Sequence, residues 1–196
     1  MHPFMRVMLV FSFAAGTWLT ISATQALAQG PDHPPRRTAT PTPRAAAPAT
    51  PKIEATMLQL MRGIVYPASN VVFAAQGDLS KLTPAPDPSV SPNLLTSTYG
   101  GWTAVENAAL ALSESANLIA LPGRLCSNGK PAPVQRADWI KFVQGLRSAG
   151  LAAYKAAQTK NADAMVDVSG TVTEACSACH DVYREKRGGI QDRCTP

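Results

Sequence analysis

Two cysteines and a histidine stand close together near the C-terminus, in the segment Cys176-Ser177-Ala178-Cys179-His180. Two thiols three positions apart fall on one helical turn, where they can add across the two vinyl groups of a haem. The imidazole that follows is then placed beneath the iron. This C-x-x-C-H spacing predicts one covalently attached haem c, held by Cys176 and Cys179, with His180 as an iron ligand.

A C-x-x-C pair also occurs in thiol redox proteins and as half of a zinc site. A thioredoxin-like pair belongs near the start of a chain of alternating strands and helices, and a structural zinc site needs a second pair of ligands. The sequence contains neither pattern, nor a Ser/His/Asp set or a phosphate-binding loop. We therefore expect a haem protein that is not an enzyme. A non-haem thiol oxidoreductase using Cys176 and Cys179 is the weakest alternative.

The N-terminus has the features of an export signal in their usual order. Arg6 precedes an apolar run over residues 7–19, and the small-x-small triplet at 26–28 is a cleavage signature. The apolar run is shorter than the roughly 20 residues of a spanning helix. We interpret residues 1–28 as a signal peptide, which predicts a periplasmic protein with no stable membrane span after cleavage.

The composition changes after the signal, with seven prolines between residues 31 and 51. Prolines among Ala, Thr and Arg without apolar periodicity predict a Pro/Ala-rich disordered linker over 29–51, and a folded domain over 52–196. From residue 51 onward the chain has 14 basic and 12 acidic side chains, a net charge of +2. This balance, without clusters of basic and aromatic residues, predicts that nucleic acid is not a partner.

Apolar residues of the folded domain recur at spacings of three and four, the period of amphipathic helices. This pattern predicts four helices, over residues 52–75, 98–121, 134–160 and 162–187. The expected fold is all-α, an antiparallel four-helix bundle with a covalently attached haem. In the first helix, Ile64 is expected on the buried face, and Pro67 is expected to kink or break the helix. Large aromatic residues of the later helices are interpreted as ordinary core: Trp102, Trp139, Phe142 and Tyr154.

The positions of residues relative to the helix ends limit the candidates for the sixth ligand of the iron. In an up-down-up-down bundle, the start of the first helix lies level with the finish of the fourth. At about 1.5 Å per residue, His180 is roughly 10 Å from that end, and Met57 and Met61 are roughly 7 and 13 Å from it. His180 is the only histidine within 52–196, so a second histidine ligand from this domain is excluded. The sixth ligand is therefore Met61 or Met57, or the position is open; core filling is the competing role for both methionines.

Two further cysteines, Cys126 and Cys194, are left over once the haem takes its pair. Cys126 follows the second predicted helix and Cys194 follows the fourth, and these two ends lie together in an up-down-up-down bundle. Since the exported compartment is oxidising, we expect a disulfide between them. The alternative is two free or intermolecular thiols.

The exported helical domain, with C-x-x-C-H on its last helix followed by Tyr183-Arg184, resembles the class II c-type cytochromes. This is the family of cytochrome c prime and cytochrome c-556, and the resemblance covers roughly residues 52–190. It implies a helical bundle, one covalent haem and a periplasmic location. It also implies that Arg184, on the same helix face as the haem histidine, lines the haem pocket. Low-spin members take a methionine from the first helix, and the segment around Met61 resembles that one, so Met61 is preferred over Met57.

The function that these features predict is single-electron transfer. His180 and Met61 are the expected axial ligands, and periplasmic redox proteins are the expected partners. A thioether ligand favours ferrous iron and raises the reduction potential. The alternative is a five-coordinate, high-spin protein similar to cytochrome c prime that binds NO or CO. Association as a homodimer is left open.

Overall fold

The computed structural model describes residues 51–195. The signal peptide predicted at 1–28 and nearly all of the linker predicted at 29–51 lie outside the described residues. The described part is all-α: four long helices are joined by loops with short 3-10 turns, and it contains no β-strand beyond an isolated bridge between Leu125 and Pro131. None of the helices within it combines the length and apolar character that a membrane crossing requires.

The first helix, α1, runs without interruption through three segments: Met57–Leu60, a π-helical turn at Met61–Val65, and Tyr66–Ala74. The other long helices are α2, Trp102–Ala120, α3, Ala137–Gln158, and α4, Ala162–Tyr183. Each helix packs against the next one along the chain, and α1 also contacts α4. The core lies between them, with Val72, Leu112, Met165 and Val172 fully enclosed.

The helices are shorter than the apolar periodicity predicted, because local caps decide where they begin. At the start of α1, the Thr56 hydroxyl accepts a hydrogen bond from the Gln59 backbone N–H at 3.3 Å. The Gln59 side chain accepts one from the Thr56 backbone N–H at 2.9 Å. This capping box begins α1 at Met57, so the predicted start at residue 52 was wrong. Helix α2 begins at Trp102 rather than 98, after Gly101 with a φ of +60°.

The other large boundary error is the end of α4, which is at Tyr183 and not at residue 187. Beyond Tyr183 the chain makes a 3-10 turn at Gly189–Asp192 and folds back on the helix end. There the backbone N–H of Cys194 donates to the carbonyl oxygen of Tyr183 at 2.9 Å. Helix α3 is slightly shorter than predicted at both ends.

Pro67 neither breaks nor ends α1. The π-helical turn ends at Val65, two residues before Pro67, and the Tyr66 N–H donates to the carbonyl of Met61, five residues earlier. This wide turn provides space for a residue that has no N–H and whose ring crowds the preceding turn. The extra residue also rotates the buried face, so Val65 is 7% exposed and Ile64 is 38% exposed. The prediction of a buried Ile64 was therefore wrong.

Helices α2 and α3 approach each other closely through small residues. A Cβ atom added to Gly150 of α3 would lie 2.5 Å from the backbone nitrogen of Ser113 in α2. Buried alanines surround this crossing on both helices: Ala109, Ala116, Ala149 and Ala153. These small residues therefore allow α2 and α3 to pack closely.

The loop between α2 and α3 contacts both the start of α1 and the C-terminal segment. The Met57 N–H donates to the Leu125 carbonyl at 2.8 Å, so this loop contacts the start of α1. The same loop contacts the C-terminal segment, because Cys126 and Cys194 are paired as a disulfide with a Cα–Cα distance of 6.3 Å. The predicted pair, Cys126 and Cys194, therefore lies at disulfide distance, and the start of α1 does lie at the same end as the finish of α4.

Candidate functional site

A cavity of about 480 Å³ opens between α1 and α4. Its volume is within the range of roughly 300–1,000 Å³ that is typical of small-molecule sites. All of the residues singled out for haem binding and iron ligation line this cavity: Met57, Met61, Cys176, Cys179, His180 and Arg184. The structure thus brings together a set that is split in the sequence between two distant segments.

Helix α4 supplies one wall. Its start is capped by Asn161, whose side-chain oxygen accepts from the Asp163 N–H at 2.8 Å. Residues three and four apart share a helix face, which is why Cys176, Cys179 and His180 all reach the cavity. The two cysteines are unpaired and partly buried.

Burial controls the protonation of these groups. It raises the pKa of the Cys176 thiol, and it is the main cause that raises the pKa of Cys179 to about 11. Burial also lowers the pKa of the His180 imidazole, and the charge of Arg184 acts in the same direction. At neutral pH the thiols are therefore protonated and the imidazole is neutral, the form in which histidine binds metals.

Helix α1 supplies the facing wall through Met57 and Met61, which are four residues apart and so share a helix face. Met57 is 7% exposed and packs in the hydrophobic core. Met61 is only partly buried and begins the π-helical turn. Turns of this kind occur frequently at functional sites.

Aromatic residues close the cavity near the end of α4. The rings of Trp139 and Tyr183 meet edge to face at a centroid distance of 4.9 Å, and both line the cavity. The Tyr183 hydroxyl accepts a hydrogen bond from Arg136 Nε at 3.1 Å. Trp139 was interpreted from the sequence as ordinary core; it is buried, but it also belongs to the site. Its helical spacing is the same as that of core residues, so the sequence carried no signal for this role.

The charged side chains that line the cavity are basic. Arg62, Arg184 and Arg193 line the cavity, and no aspartate or glutamate is among the described lining residues. Arg184 forms an ion pair with its neighbour Glu185. Arg193 was missed from the sequence, because it lies beyond the last helix and only the fold of the C-terminal segment brings it to the cavity.

The residues present fit a haem attached through the C-x-x-C-H motif. Between 51 and 195, no three His, Cys, Asp or Glu side chains are grouped so that they could hold a metal ion directly. The two thiols and the imidazole therefore do not converge as a zinc site would require. The buried Trp139 Nε1 is also an orphan donor that has no hydrogen-bond partner within the described chain. Apolar walls, arginines and an unpaired N–H suit a flat apolar ring with carboxylate side chains.

No family model, curated protein or solved structure matches this chain.

Proposed function

We propose that this chain is a monohaem c-type cytochrome that carries single electrons in the periplasm. The observation that carries the proposal is the shared cavity: the C-x-x-C-H residues of α4 face the two methionines of α1 across it. We further propose that the four helices form the antiparallel bundle of the class II cytochromes. The packing of each helix on the next, and of α1 on α4, supports that architecture.

Cys176 and Cys179 would hold the haem by thioether bonds. Their positions on one face of α4, three residues apart, suit addition to two vinyl groups. The competing role, thiol–disulfide exchange, depends on a thiolate. The raised pKa values of both thiols, caused chiefly by burial, argue against that role.

His180 would bind the iron from α4, and Met61 from α1. Helix α4 ends at Tyr183 and α1 begins at Met57, and the disulfide-linked loop joins these two ends. At about 1.5 Å per residue, His180 is roughly 4.5 Å before its helix end, and Met61 is roughly 6 Å past the start of α1. Met57 stands at the start itself. Met61 is therefore nearer the height of the imidazole, which supports it as the sixth ligand.

When bound, the haem supplies the one-electron couple between ferric and ferrous iron. The chain would contribute a soft thioether, which would favour the ferrous state, and an apolar wall, which would shield the haem from water and raise the potential. That wall includes Leu58, Val65 and Phe73. These features suit an electron carrier, and periplasmic redox proteins are the proposed partners.

The test of this function is the optical and electrochemical behaviour of the full-length protein made in a host that performs cytochrome c maturation. We expect a ferric low-spin spectrum with the weak band near the red end that marks methionine ligation, and a reversible one-electron couple. A high-spin ferric spectrum, together with binding of NO or CO to the reduced protein, would contradict electron transfer. It would indicate gas binding as the function.

A further inference from the structure

The arginines of the cavity are not equivalent. Arg184 already has a carboxylate partner in Glu185, and Arg62 is exposed. Arg193 is partly buried and forms no ion pair with any carboxylate of residues 51–195. Its Nε atom is buried and has no hydrogen-bond partner in that range. Arg193 is thus a cationic residue at the cavity that has no carboxylate partner among residues 51–195.

The indole N–H of Trp139 is a second buried donor without a hydrogen-bond partner in the described residues. The residue is 3% exposed, its Nε1 atom has no hydrogen-bond partner among the described residues, and it lines the same cavity as Arg193. Leaving a buried donor unpaired is destabilising, so such groups are rare in folded proteins. Two residues with such a donor line one cavity, and the absence of a carboxylate from its described lining points to an acidic ligand group.

The segment that carries Arg193 is held in place by several independent contacts. Asn128 Nδ2 donates to the carbonyl oxygens of Gln191 at 3.0 Å and Arg193 at 2.8 Å. The next residue, Cys194, is bonded to Cys126 and donates its N–H to Tyr183. Cys194 also has a φ of +61°, a conformation that non-glycine residues adopt only when their surroundings hold them there. Contacts on both sides of Arg193 in the sequence therefore hold its backbone in place.

We propose that Arg193 and the indole N–H of Trp139 bind a propionate carboxylate of the haem, and that the Cys126–Cys194 disulfide holds Arg193 in position for this contact. This inference rests on the proposed function, since it needs the haem. The arginine contributes a charge-assisted hydrogen bond and the tryptophan a neutral one.

The consequence is a measurable shift in the properties of the haem. A positive charge beside the haem disfavours the ferric state, which has one more positive charge than the ferrous state. Removing Arg193 should therefore lower the midpoint potential. Removing an exposed arginine that does not line the cavity should change it little, because solvent and salt screen that charge.

The test compares matched variants of the full-length holoprotein. Arg193→Gln is paired with Arg187→Gln, which removes the same charge from the same segment at an exposed position outside the cavity lining. Trp139→Phe is paired with Trp102→Phe, since Trp102 does not line the cavity. Midpoint potentials are measured by spectroelectrochemistry at one pH. Redox-induced infrared difference spectra, with haem labelled at the propionate carboxyl carbons, report the carboxylate directly.

We expect Arg193→Gln to lower the potential and shift the carboxylate band, and Trp139→Phe to shift the same band. Both control variants should match the wild type, and Arg193→Lys should recover most of the potential because it keeps the charge. Equal effects of Arg193→Gln and Arg187→Gln, with the band unmoved in both, would overturn the inference and leave the proposed function intact. A wild-type protein without haem would instead refute the proposed function, and this inference with it.

Discussion

The backbone N–H of Cys194 donates a hydrogen bond of 2.9 Å to the carbonyl oxygen of Tyr183, the last residue of α4. The last carbonyls of a helix have no partner within the helix, so this bond satisfies one of them. It also directs the C-terminal segment back toward the cavity. The disulfide to Cys126 then joins this segment to the loop that contacts the start of α1.

The disulfide should make a large contribution to stability. The two cysteines are 68 residues apart in sequence, and the chain-entropy model gives roughly 4 kcal/mol for a loop of that size. Replacing both with serine should lower the free energy of unfolding by up to about that amount, measured by urea denaturation of the holoprotein. Reductant should destabilise the wild type but not the double variant. Two reactive thiols in unfolded, unreduced holoprotein would show that the bridge does not form in solution.

The two methionines should respond differently to truncation. Met61→Ala is expected to convert a low-spin ferric spectrum to high-spin and to lower the midpoint potential, because it removes the thioether ligand. Met57 is buried in the core, so Met57→Ala should cost roughly 2–5 kcal/mol of stability and leave the spectrum low-spin. If Met57→Ala alone changed the spin state, the iron ligand would be Met57 and not Met61. If neither substitution changes it, methionine ligation is wrong.

The contact between α2 and α3 offers a test with a control on the same helix. A Cβ on Gly150 would meet the Ser113 backbone at 2.5 Å, whereas one on Gly145 would have nothing within 4 Å. Gly150→Ala should therefore lower the melting temperature. Gly145→Ala should raise stability by roughly 0.5–1 kcal/mol, the usual gain from replacing a helical glycine. An unchanged or raised melting temperature for Gly150→Ala would mean that the two helices are not packed this closely.

The sequence predicted helix number and order well, because these follow from long apolar stripes of period 3.6. It predicted helix ends poorly, because ends depend on local hydrogen bonds such as the Thr56–Gln59 capping box and on the return of Cys194 to Tyr183. The π-helical turn before Pro67 was not foreseen. No apolar pattern marks such a turn, and it exchanged Ile64 for Val65 in the core.

The residues of the candidate site show the same difference between what a sequence pattern predicts and what depends on the fold. The C-x-x-C-H motif predicted the site residues of α4, and the count of histidines limited the candidates on α1. All of these residues line one cavity. Arg193 and Trp139 were missed as site residues. Their place at the cavity depends on the fold of the C-terminal segment and on the packing of α3, which no short motif encodes.

The most direct test of the account is intact-mass spectrometry of full-length protein made in a host that performs cytochrome c maturation. We expect one haem covalently added to a chain that begins at Gln29, and loss of this addition when Cys176 and Cys179 are both replaced by serine. The Cys126→Ser, Cys194→Ser double variant is the control, since it removes two cysteines and should keep the haem. An unmodified mass for the wild-type chain in that host would contradict the assignment as a c-type cytochrome.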